Sequence, residues 1–177
     1  MRKLVILLIA IAIPAMSIAQ GAFDKFETEK DVTSFIATSK MFKLLRGIEV
    51  DTDDPEAQAY LDLINSLQNI KVFMTENPEV GGRMDAAVKS YLSSNSKLGE
   101  LMRVNKDGKT VRFYSKDGKT ENFVTELLMH MNGNVDGKDM TVILSLTGDI
   151  NLKMVSQLTK DLKVPGSEEL KNINGKH

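Results

Sequence analysis

Apolar positions follow two different spacings along this chain, mostly three-and-four in the first half and every second residue in the later part. After an arm carrying Phe23 and Phe26, the β-branched stretch 32–38 predicts a strand. Ser39 is placed to cap a short helix through Met41, Phe42, Leu44 and Leu45, which Gly47 ends as a left-handed cap. Pro55 then opens a longer helix whose buried face is Ala57, Tyr60, Leu61, Ile64 and Leu67. Ile70, Val72 and Met74 alternate with more polar neighbours as a strand. Asn77-Pro78-Glu79 starts a second long helix on the face Met84, Val88, Tyr91 and Leu92, with Gly81-Gly82 weakening its first turn.

The later part alternates. The string Lys-Asp-Gly-Lys-Thr occurs at 106–110 and again at 116–120, and Asp-Gly between alternating residues signals a tight hairpin turn. Two such turns predict strands at 100–105, 111–115 and 123–131, and a looser loop at 132–139 returns the chain as a fourth, 140–147. Gly148-Asp149 closes this meander. Leu152, Val155, Leu158 and Leu162 then mark a last amphipathic helix, with Asp149 or Asn151 as its cap. The expected fold is α+β: a mainly antiparallel sheet with a C-terminal four-stranded meander, and three to four amphipathic helices packed on one face.

The ends change the picture. Arg2-Lys3, an apolar run over 4–16 and the small residues of Ser17-Ile18-Ala19 read as a secretory signal peptide cut before Gln20. The run is shorter than the roughly 20 residues a membrane span needs, so no permanent anchor is expected once the leader is cleaved. The expected organisation is a signal peptide at 1–19, one domain at 20–165 and a frayed polar tail at 166–177. Without Arg2 and Lys3, the 23 basic residues of the 177-residue chain fall to 21 against 24 acidic ones. That balance argues against nucleic acid, which requires a clustered basic face. Cys is absent, so thiol catalysis, thiolate metal sites and disulfides are excluded.

Candidate chemistry is sparse. Asn132, Asn134, Asp136 and Gly137 imitate the start of a calcium loop, but Ile143 stands where the bidentate Glu belongs. Asp51-Thr52-Asp53-Asp54 fails because Pro55 occupies a ligand position. Met129-His130-Met131 would suit a soft metal, yet strand alternation sends His130 to the opposite side. No metal and no cofactor are expected. His130 is the sole internal His, so a hydrolase would have to use it with a carboxylate such as Glu126, and no nucleophile motif accompanies it. Arg103, Arg112, Tyr114, Glu126, His130, Thr141 and Ser145 share the less apolar side of the meander, which reads as an exposed binding surface with Arg and Tyr as anchors. A membrane-surface role would rest on the last helix, through Lys153, Lys160 and Lys163.

The landmarks also carry a resemblance. Phe-Asp-Lys-Phe, Val32-Thr33-Ser34, Ser39-Lys40-Met41-Phe42, Leu101-Met102-Arg103-Val104, the Lys-Asp-Gly hairpins and Leu-Thr-Gly-Asp-Ile together resemble a family of exported Bacteroidota proteins, domain of unknown function 4252 (DUF4252), across 23–162. The resemblance implies a Gram-negative envelope, hence the periplasm, and a regulatory or sensing role. Many members bear a lipid-carrying Cys after the leader, and this chain lacks it. The expected function is noncatalytic: a periplasmic binding or adaptor module whose partner is an envelope protein or a small molecule. A small periplasmic hydrolase is the alternative.

Overall fold

The computed structural model describes residues 21–45, 53–161 and 163–172. The leader, Gly47, Leu162 and His177 lie outside the described residues. Six strands form one antiparallel sheet: β1 (Thr33–Ala37), β2 (Leu67–Thr75), β3 (Gly99–Lys106), β4 (Lys109–Asp117), β5 (Phe123–Val135) and β6 (Lys138–Asn151). Their order across the sheet is β1-β2-β6-β5-β4-β3, so the predicted four-strand meander is intact and β6 joins it to the β1–β2 pair. Four helices accompany the sheet: α1 (Ser39–Leu45), α2 (Pro55–Ser66), α3 (Pro78–Ser94) and α4 (Leu152–Asp161). The α+β class stands.

The helices do not share one face. Phe42 of α1, Leu63 of α2, and Val155 and Leu158 of α4 pack against Val72, Phe113, Met129 and Leu144. On the other side, α3 lays Val80, Met84, Val88 and Tyr91 against Phe73, Tyr114, Leu128 and Ile143, joined there by Phe23 and Phe26 of the N-terminal arm. The central strands are therefore buried on both sides, as the unbroken apolar runs Leu127-Leu128-Met129 and Val142-Ile143-Leu144 require.

Several boundaries differ from the expected ones. Leu67, assigned above to a helix face, is the first residue of β2 and is fully buried. The loop expected at 132–139 is a tight hairpin in which β5 and β6 pair to Val135↔Lys138 around Asp136-Gly137, both at positive φ (52° and 86°). Strand β6 also runs past Gly148 to Asn151, whose side chain caps α4 by accepting from the Lys153 N–H at 3.0 Å. Asp107-Gly108 makes the predicted turn between β3 and β4. Asp117-Gly118 does not: β4 continues through Asp117, and a wider loop leads to Phe123 with the Gly118 N–H bonded to the Phe123 carbonyl at 2.9 Å. Ser167–Asn172, within the stretch read as a frayed tail, is a 3-10 helix with Ser167 buried and Glu168 paired to Lys109 at 2.5 Å.

Candidate functional site

Cross-strand register arranges the α3 side of the sheet in rows. The end row is polar throughout: Thr75, Thr141, Asn132, Thr110 and Asn105, on β2, β6, β5, β4 and β3. The next row runs Phe73, Ile143, His130, Arg112 and Arg103. Deeper rows carry Ser145, Leu128 and Tyr114, then Glu126. All seven residues singled out from sequence lie on this one side of the sheet.

The face they share is exposed only toward the sheet edge, at Arg103. Helix α3 covers its centre, leaving Glu126 5% and Tyr114 8% exposed. Glu126 sits beneath α3, where the Tyr91 hydroxyl donates to it at 2.5 Å. Burial raises the Glu126 pKa above the usual carboxylate range, the Tyr91 hydrogen bond and Lys116 opposing it. Burial and the neighbouring Glu126 carboxylate drive the Tyr91 phenol far above its own range. Ser145 belongs elsewhere, in a hollow of about 230 Å³ beside Lys71, which the arm residues Asp24 and Glu27 pair. Arg103 is near the sheet edge, bonded to Glu100 at 2.6 Å.

His130 and Thr141 belong to one network, and its key member was missed from sequence. Asp85, on α3, holds His130 Nε2 at 2.8 Å and accepts from the Asn132 amide at 3.0 Å with the same oxygen. The Asn132 carbonyl oxygen in turn accepts from the Thr141 hydroxyl at 2.8 Å. Nothing in the apolar spacing of α3 marks Asp85, because its partners lie 45 and 47 positions away. Desolvation lowers the His130 pKa, Asp85 pulls it back up, and Arg112 and Lys89 lower it further. The ring is thus held neutral near pH 7, donating through Nε2 to the carboxylate. The pairing of His130 with Glu126 entertained above does not form: the two stand four residues apart on β5, about 13 Å along the strand, and Glu126 is engaged by Tyr91.

Three members of the network, Asp85, Asn132 and Thr141, line a cleft of about 560 Å³ between the start of α3 and the β5–β6 hairpin, together with Asn77, Gly81 and Asp139 among others. A second hollow of about 620 Å³ adjoins it through Thr75, Glu76, Asn77 and Met140. Gly81 lets α3 approach the sheet here, since a Cβ at that position would stand 2.6 Å from Thr141 Oγ1. Asn77 caps the helix, accepting from the N–H groups of Glu79 and Val80 at 3.0 and 3.4 Å.

The sequence matches a family described as a domain of unknown function over residues 26–158, which takes in the sheet and every member of this network. The chain belongs to the DUF4252 family. Comparison with curated proteins found no match. The DUF4252 span carries no group of three His, Asp or Glu able to hold a metal ion among the described residues, and no described helix is long and apolar enough to cross a membrane.

Proposed function

We propose that this chain is an exported, noncatalytic binding module of the cell envelope that takes its ligand or partner in the cleft between α3 and the β5–β6 hairpin. One observation carries the reading: Asp85, Asn132 and Thr141 line an open cleft and bond to one another, with His130 bonded to Asp85 behind them, which fixes the polar groups of its wall. Binding sites commonly combine a largely pre-formed concavity with a few placed polar groups. The basic, apolar and small-residue order of the leader supports export. The binding role moves from the exposed sheet face expected above to the cleft, because α3 covers the centre of that face.

A hydrolase would need a nucleophile in contact with its base. Among the described residues His130 bonds to Asp85 and lies beside the Asn132 amide, and no hydroxyl reaches it. Photocrosslinking in cells tests the reading. A photoreactive residue at Asp139, on the cleft rim, is expected to capture one defined species, and the same residue at Lys97 is expected to capture none. Equal capture at both positions would count against the cleft. Turnover of a simple ester that vanishes in His130→Asn would replace binding with catalysis.

A further inference from the structure

Among the described residues Arg112 has no partner. Its Nε is shielded from water with no hydrogen-bond acceptor among the described residues, and no ion pair is made by its guanidinium. The register makes this worse. Arg112 stands between the neutral His130 on β5 and, directly opposite on β3, Arg103, and like charges opposed across strands repel. Lys89 of α3 adds a third cation, near enough that both it and Arg112 disfavour protonation of His130. The carboxylates around the patch are committed, Glu100 to Arg103 and Asp85 to His130 and Asn132. A half-buried guanidinium between cations, in a chain whose acidic residues outnumber its basic ones, is a costly arrangement that calls for a compensating group.

We infer that Arg112, flanked by Lys89 and Arg103, is a seat for an anionic group, a carboxylate or a phosphate, on the β3–β4 side of α3. The planar guanidinium suits both groups, and Lys89 and Arg103 supply charge around them. Helix α3 lies across β2 and β6, so the outer strands, where Arg103 is half-exposed, leave a way in. This site lies on the far side of His130 from the cleft and does not depend on the cleft binding anything.

The test is thermal unfolding of the protein in inorganic phosphate, in succinate and in sodium chloride at matched ionic strength. Phosphate or succinate is expected to raise Tm saturably beyond the chloride control, and whichever does so names the group. Arg112→Gln is expected to match the unaltered protein in chloride, since it removes an unpaired charge, and to lose the anion response. Lys89→Gln, at an exposed helix position, is expected to weaken half-saturation about fivefold. Asp139→Asn, on the cleft rim, is expected to leave the response unchanged. Responses no larger than those to chloride, or an undiminished response in Arg112→Gln, would overturn the site. Should Arg112→Gln fail to fold, an unchanged half-saturation in Lys89→Gln does the same.

Discussion

Glu126 and His130 lie on one strand, and burial shifts their proton affinities in opposite directions because it favours the neutral form of each. The His130 pKa is below its ordinary 6.5, so its contribution is present above that value and is lost as pH falls through the folded pKa. The Glu126 pKa is above its ordinary 4.5, so its contribution is present below that value and is lost as pH rises through the folded pKa. Melting curves across about pH 4 to 8 check both signs. Glu126→Gln, which keeps an acceptor for Tyr91, is expected to be more stable than the unaltered protein at neutral pH and to lose that advantage in acid. His130→Asn is expected to flatten the fall in stability below pH 6.5. A Glu126→Gln protein that melts lower at neutral pH would refute this account of the buried carboxyl. His130 was legible in sequence as a lone histidine on the polar side of a strand, whereas its partner Asp85 was not. A hydrogen bond across such a separation leaves no periodic trace.

Helix α3 shows how two adjacent identical residues can serve opposite ends. Gly81 and Gly82 both weaken the first turn by propensity. Only Gly81 is needed, because its missing Cβ leaves room for Thr141, while a Cβ on Gly82 would meet nothing within 4 Å. Gly82→Ala is expected to stabilise by up to about 1 kcal/mol. Gly81→Ala is expected to cost about 1–3 kcal/mol by displacing Thr141 from Asn132, and chemical denaturation of the two variants checks the contrast. The repeated Lys-Asp-Gly-Lys-Thr teaches a related lesson. Its first copy turns the chain tightly because Val104 and Val111 must face each other. In the second, the pairings Phe113↔Met129 and Val111↔Met131 carry the register to Lys116↔Glu126, and a register shift then sets Asp117 opposite Val124, which leaves too many residues for a two-residue turn. Register is fixed by which side chains must be buried, and turn chemistry yields to it.

At the scale of the whole molecule, the sheet class and meander were readable from alternation and turns, while the second covered face was not drawn from them. Its signal was present in Leu127-Leu128-Met129 and Val142-Ile143-Leu144, since a half-solvated strand would interrupt such runs. Strand β6 lies between β2 and β5 and belongs to both halves of the sheet. A chain ending after Asp136 keeps the β1–β2 pair and the β3–β4–β5 meander but loses their only junction in the sheet order, so it is expected to show no cooperative melting transition by circular dichroism. The same placement sets a timetable. Thr75 waits for Thr141, 66 positions later, before β2 acquires its inner neighbour. A ribosome making this chain therefore releases the keystone of the sheet only after the other five strands, and until then every earlier strand pair is provisional.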